Sequence, residues 1–515
     1  MPHTRRNALK MILAGAATAA APGLARSAAN SDGRPALRVA VSDLPSTLEP
    51  ADAQSLKASA YRVLNSMFDN PLEIDASTYQ IGTSLAESVN QVSETAFDLT
   101  FREKVFFHDN TPMSIDDVIF SFGDERMMVK GAPGYAVKQL FLTKVAKVEK
   151  LGEHTARFHL TSSDPVFTKR LAAWGGQVIS QKAFGQRKSF AEWGLQPIGT
   201  GPYKLGSFLS GDHVELVAFD DYWRKKPPFS AVRFQQVPEL ATRVVGLLAG
   251  DYDIIADVSP DQMNTITKDP RFEIVGGAPA GYQMIMFDIN GNPLLRDVNL
   301  RRAMNLAVDR KLIVDSLWQG RVTVPNGHQL PVYGDLYDPG RAPLEYNPDR
   351  ARELLRQSNY KGEEIPYRMV PTYYTNQLAT GQVLVEMWRS VGINVRLETV
   401  QDISQVYREG AGHLVDGSSV MFYPDPVSTS WRRYGANSPY QATWKMWSNE
   451  EYNQLGKILE SSTDINARKK AFQRMLDIIE WEDPTGVLLY TTGYFYAKRK
   501  DADWKPHFLP NMNFI

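Results

Sequence analysis

Gln196-Pro197-Ile198-Gly199-Thr200-Gly201-Pro202-Tyr203-Lys204, then Gly211, Val214-Glu215-Leu216 and Phe219-Asp220-Asp221-Tyr222-Trp223, is the stretch that decides the fold. Its paired glycines permit a tight backbone path before a strand begins. Gly199–Leu205 and His213–Phe219 have strand character and flank Ser210-Gly211-Asp212, a turn of the hairpin type. Tyr222 and Trp223 follow at once and are expected to anchor the hairpin in the core. The block therefore reads as scaffold rather than as ligand contact.

Working outward, the chain is mixed α/β. Leu37–Val41 is a short strand, Phe97–Phe101 and Thr155–Leu160 alternate with period two, and Tyr252–Ala256 and Met284–Phe287 are further strands. Ser55–Phe68 has helical spacing through Leu56, Tyr61, Leu64 and Phe68. Ser114-Ile115-Asp116-Asp117 is a capping-box pattern that starts a helix. Thr242–Leu248 is an apolar helix ended by Gly250. Beyond Asn290 the helices lengthen. Asp297, Asp309, Asn347 with Pro348, and Asp464 each stand where an N-cap is required. Gly320 stops the second of these helices. Gln382–Val391, Gly392 and Ile393–Leu397 read as helix, C-cap and strand, and Gly486–Phe495 as one last strand.

At 515 residues the chain needs two or three cores. It has no cysteine, which excludes disulfides, thiolate nucleophiles and iron–sulfur clusters. Residues 1–29 carry Arg5-Arg6 and Lys10, an apolar run from Met11 to Ala21 and small residues around Ala25–Ala29. This resembles a twin-arginine export signal cleaved near residues 25–29, with general secretion the alternative. Without that segment 53 basic residues face 58 acidic ones, a net charge of −5 with no basic stripe. Nucleic acid is an unsuitable partner, and no other run is long enough to span a membrane.

Enzyme motifs are missing: there is no phosphate loop, nucleophile elbow or zinc helix. His154 and His159, five apart on one strand, point to opposite faces. No catalytic residue, metal or cofactor is expected. The chemistry concentrates instead in Ser418–Tyr434, where Phe422, Tyr423, Trp431 and Tyr434 stand beside Arg432 and Arg433 among Pro424, Asp425 and Pro426. Aromatic faces and guanidinium groups on irregular backbone suit a small-molecule site. An aromatic turn plugged into the core is the other reading.

The Gln196–Trp223 block resembles the signature of the extracellular solute-binding proteins, family 5, the peptide, nickel and opine receptors of ABC importers. The resemblance continues through Phe106–Pro112, Asp116–Ser121, Arg296–Asn305 with Ala307–Arg310, and Tyr346–Asp349 with Ala351, Leu354 and Leu355. It implies two α/β lobes hinged over a ligand cleft, the first lobe carrying an extra subdomain. Lobe one would cover residues 36–281 and resume at 489–515, its subdomain about 71–196, and lobe two 282–488. It also implies a monomeric, non-enzymatic periplasmic receptor that works with a membrane permease and an ATPase.

In peptide-binding relatives, the position of Phe422 carries the aspartate that pairs with the ligand's α-amino group, and that of Ser419 a tryptophan. A buried ammonium without a carboxylate is costly by several kcal/mol. The departure points to a non-peptide ligand: an opine, a glycoside or a sugar-phosphate conjugate. An oligopeptide ligand with a rearranged amine site, through Asp425 for instance, is the alternative, and an enzyme on this scaffold the third reading. The expected ligand contacts are Phe422, Tyr423, Asp425, Trp431, Arg432, Arg433, Tyr282 at the start of lobe two, and Trp174. Trp174, in Ala173-Trp174-Gly175-Gly176, reads equally as a buried core residue.

Overall fold

The computed structural model describes residues 33–55 and 57–515; the export signal read at 1–29, and Leu56, lie outside the described residues. The hairpin forms as its sequence dictates. Tyr203–Leu209 and His213–Ala218 pair antiparallel, from Tyr203 opposite Ala218 to Leu209 opposite His213, with Gly211 at φ +78° in the turn. The preceding glycines are pressed on the end of the first helix, Ala58–Leu64. A Cβ at Gly199 would lie 2.1 Å from the carbonyl oxygen of Met67, and one at Gly201 2.5 Å from the Met67 carbonyl carbon.

What anchors the block is a carboxylate that its own sequence does not contain. Thr200 Oγ1, Tyr222 Oη and Trp223 Nε1 all donate to Asp69, at 3.1, 3.1 and 3.0 Å. Burial pushes the Asp69 carboxyl up to about 6 against these three donors and the charge of Arg224. Trp223 is only half-buried and lies between the guanidinium groups of Arg102 and Arg224. Tyr222 enters the core; Trp223 seals it from the edge.

The hairpin closes one edge of a seven-stranded sheet in the order Phe272–Gly276, Phe495–Arg499, Ile254–Ala256, Ala36–Val41, Ala231–Gln236, His213–Ala218, Tyr203–Leu209. Ala36–Val41 runs parallel to both of its neighbours. A four-stranded antiparallel sheet between Ala86 and Leu160 forms a separate layer on this lobe. The second lobe is built on five strands in the order Val395–Thr399, Ile365–Met369, Leu414–Val420, Gly281–Phe287, Gly486–Thr492. Its helices start where the caps stand. The carboxylates of Asp297, Asp309 and Asp464 and the amide oxygen of Asn347 each accept first-turn backbone N–H groups, as Ser114 does with its full capping box in the first lobe.

The single strand expected over Gly486–Phe495 is two strands in two sheets. Gly486–Thr492 pairs with Gly281–Phe287, while Phe495–Arg499 pairs with Ile254–Ala256 and Phe272–Gly276. Between them Gly493 and Tyr494 cross from one lobe to the other beside the outgoing crossing at 277–280. The two crossings touch backbone to backbone. Gly277 N donates to Tyr494 O at 2.9 Å, and a Cβ at Gly276 would lie 2.1 Å from that same oxygen. Strand propensity continues through this point, but the close approach of two glycine-bearing chains breaks the ladder. Among the described residues no helix is long and apolar enough to cross a membrane.

Candidate functional site

The strand Leu414–Val420 runs through the middle of the second sheet and delivers the chain to the seam between the lobes. There Met421 N bonds Ala280 O, and Pro424 and Pro426 force the turn that follows. Phe422 leaves the second lobe and enters a cluster of first-lobe rings. It meets Tyr61 edge-on at 5.5 Å and Phe141 at 4.8 Å, and Tyr61 in turn meets Trp174 at 4.2 Å. Tyr61, read from sequence as an apolar helix position, is thus a first-lobe contact of Phe422 beside Phe141. Nothing in the helical period distinguishes a tyrosine that faces a seam from one that faces the core.

Arg432 lies over this cluster, its guanidinium carbon 4.8 Å from the centre of the Phe422 ring. Its Nε donates to Ser428 O at 2.8 Å and its Nη2 to Val420 O at 3.1 Å. Both partners are carbonyls. Among the described residues no carboxylate pairs with Arg432, and burial, reinforced by neighbouring Arg433, pulls its pKa down to about 10. Arg433 donates through Nη2 to Ser418 O, while its Nε is buried without a partner among the described residues. Trp174 Nε1 and Ser419 Oγ are likewise buried and unpartnered. The unsatisfied groups of Arg433 and Trp174 are pure donors, and Ser419 can donate as well. Arg432 also borders a shallow, partly open crevice, together with Leu140, Thr143, Arg170, Trp431 and Glu460.

The other expected contacts are engaged within the protein. Asp425, 1% exposed, accepts two bonds from Arg468 Nη2 at 2.9 Å each and caps the turn Pro426–Ser428. Lys169 Nζ of the first lobe reaches the same carboxylate at 3.4 Å and Pro424 O at 3.0 Å. Tyr423 is buried, its carbonyl bonded to Ser428 Oγ at 2.7 Å. Trp431 Nε1 donates to Glu460 at 3.0 Å, and Tyr282 Oη lies 3.1 Å from both His328 O and Ser430 Oγ. So Phe422, Arg432 and Trp174 converge around Tyr61, with Arg433 alongside, whereas Tyr423, Asp425, Trp431 and Tyr282 hold the turn in place.

Glu460 is a second meeting point of the lobes. It accepts from Arg170 Nη2 at 2.7 Å and Thr143 Oγ1 at 3.0 Å, and Lys144 Nζ reaches its carbonyl at 2.8 Å and Ser461 Oγ at 2.6 Å. Burial alone would raise the Glu460 carboxyl; Arg170 and Lys144 outweigh it and hold the group below its usual range.

Asp416, two residues before Ser418, is the reverse case: a buried acid without an ion-pair partner among the described residues. Tyr367 Oη donates to it at 2.8 Å, yet burial pushes its pKa up to about 7. An acid raised in the folded state binds its proton more tightly there than in the unfolded chain. Its contribution is therefore fully present below about pH 4, is lost as pH rises toward 7, and is constant above. Asp416→Asn keeps an acceptor for Tyr367 without the charge. It should stabilise the protein more at pH 8 than at pH 5, read as the shift in urea midpoint. An equal shift at both pH values would mean that Asp416 does not titrate in this range.

A family model for bacterial extracellular solute-binding proteins, family 5 (middle region), matches residues 80–441. The di/tripeptide-binding protein 1 of Pseudomonas aeruginosa is 25% identical over 428 residues, covering 79% of this chain and 78% of that protein. Among solved structures, Helicobacter pylori DppA in complex with the peptide STSA superposes with a TM-score of 0.82 at 18% identity, over 93% of this chain and 97% of the other. AgaA of A. tumefaciens R10 in complex with agropinic acid gives 0.79 at 21%, over 93% and 98%. These neighbours share the two-lobed, hinge-linked fold. The chain belongs to the bacterial extracellular solute-binding proteins of family 5.

Proposed function

We propose that the protein is the capturing receptor of an ABC importer for a small acidic, non-peptide solute: an opine, a glycoside or a sugar-phosphate conjugate. The observation that supports this reading is Arg432, a half-buried guanidinium that lies over Phe422 and, among the described residues, bonds only carbonyls. A ligand carboxylate or phosphate would supply the missing charge, and the free N–H groups of Trp174 and Arg433 would take further acceptors. The Phe422, Tyr61 and Trp174 rings offer a wall for a sugar ring or another flat face. Closure over such a ligand is a population shift driven by contacts made only when the lobes meet. On this reading the chain is exported to the periplasm, acts as a monomer without catalysis, and delivers its load to a permease and ATPase.

A peptide ligand is the second reading, favoured by the names of relatives such as the di/tripeptide-binding protein. It lacks an obvious amine partner on the second lobe: position 422 is Phe, and the carboxylate of Asp425 is taken by Arg468. Thermal-shift screening separates the two. Opines, sugar acids or sugar phosphates should raise Tm, while di- and tripeptides should not; the opposite pattern rejects the proposal. Arg432→Ala and Arg433→Ala should each weaken the acidic ligand by about 1.5–3 kcal/mol, the scale of a charged hydrogen bond, measured by calorimetry.

A further inference from the structure

We infer that Ser42, Asp43, Arg62 and Asp257 form a first-lobe half of the ligand site that takes adjacent hydroxyl groups, so that the solute is a polyhydroxylated carboxylic acid. This rests on the acidic-solute reading and narrows its class. Ser42, Asp43 and Asp257 follow the strands Ala36–Val41 and Ile254–Ala256, which run parallel side by side. The carboxyl ends of parallel strands are where open α/β sheets place their ligands. Arg62 follows Tyr61, a first-lobe contact of Phe422, on the helix Ala58–Leu64.

Arg62 is 2% exposed and bonds Asp257 Oδ1 through Nη2, while Asp43 Oδ1 lies 3.9 Å from Nη1. Its Nε and Nη1 are buried and, among the described residues, make no well-formed hydrogen bond, although the Tyr496 hydroxyl lies close by. Buried Arg170, by contrast, places Nε on Asp164, Nη1 on Phe141 O and Nη2 on Glu460. Arg62 is therefore incompletely used as a structural ion pair. On the acceptor side, Ser42 Oγ lies 3.0 Å from Asp257 Oδ2 and 3.2 Å from Asp43 Oδ1, but one hydroxyl proton serves only one of them. The Asp43 carboxylate is half-exposed.

The group lies within electrostatic reach of the second lobe and of the return crossing. Tyr373 feels the charge of both Asp43 and Arg433, and Tyr494, in the return crossing, feels Arg62, Asp257 and Tyr374. Unfilled donors and unfilled acceptors thus stand together here, on the other jaw from Arg432. An ammonium would use only the acceptors and leave the buried Arg62 donors unfilled. A carboxylate would use only the donors and be repelled by two aspartates. A hydroxyl both donates and accepts, and two neighbouring hydroxyls match the spread from Arg62 across Asp257 to Asp43.

The test is calorimetric titration of the full protein with matched acids: gluconate against hexanoate, and N-(1-deoxyfructosyl)glutamate against glutamate. The hydroxylated member of each pair should bind about tenfold or more tightly than its counterpart. Asp43→Asn, and independently Arg62→Lys, should abolish that difference. Arg432→Ala should weaken both members alike. Equal binding within the pairs in the wild-type protein, or a preference that survives both first-lobe substitutions, overturns the inference while leaving the acidic-solute reading intact. If neutral polyols bind as well as the acids and Arg432→Ala has no effect, the acidic-solute reading itself fails.

Discussion

Replacing Arg468 with alanine is expected to lower the unfolding free energy by about 3–5 kcal/mol, the cost of leaving a buried charge without its partner. Arg468, on the helix Ile465–Asp477, donates to both oxygens of Asp425 and through Nε to Leu459 O at 2.8 Å. Asp425 in turn sets the turn that carries Phe422 to the seam. Lys169 remains within 3.4 Å of Asp425, but it belongs to the other lobe and compensates only while the lobes are together. Urea unfolding of the ligand-free protein measures the effect, and Arg468→Lys should recover part of it. A loss below about 1 kcal/mol would place this pair with ordinary surface ion pairs.

The second large effect concerns closure. Glu460→Ala removes the acceptor that Arg170 and Thr143 of the first lobe share with Trp431 of the second. Charge-assisted bonds contribute about 1.5–3 kcal/mol each, and Arg170 retains Asp164 at 2.8 Å. A net shift of about 2–4 kcal/mol toward the open form follows, roughly thirtyfold or more in the closed-to-open ratio. Small-angle scattering without ligand should give a larger radius of gyration than wild type. Ligand affinity should fall in proportion to the loss in the closed fraction, because ligand binds the closed state. An unchanged radius together with unchanged affinity would show that Glu460 packs the seam without governing it. Gly456, one turn before Glu460, belongs to the same contact: a Cβ there would lie 2.0 Å from the Trp431 ring.

These two clusters mark where legibility in the sequence ends. Asp425 and Arg468 are 43 residues apart and Lys169 is 256 residues from Asp425. No period, cap or turn rule links positions at such separations, and each residue alone reads as an ordinary charge. The same holds for Asp69, which collects three side chains of the hairpin block from 131 to 154 residues away. In the candidate site, Phe422, Arg432, Arg433 and Trp174 were visible as residue types with stacking faces and donors. That Tyr61 joins them, and that Asp425 and Tyr282 are bound inside the protein, was not.

What the sequence by itself determined is local. Side chains at Ser114, Asp297, Asp309, Asn347 and Asp464 satisfy backbone N–H groups two or three residues ahead, so helix starts are written in short patterns. The Gly211 turn fixes its hairpin in the same way. Only the tertiary structure decided how these pieces meet. It divided the apparent strand Gly486–Phe495 between two sheets, because Gly276, Gly277 and Gly493 let two chains cross at van der Waals distance. It also left the half-buried Arg432 without a carboxylate among the described residues, because whether a charge is paired depends on which distant segments fold against it.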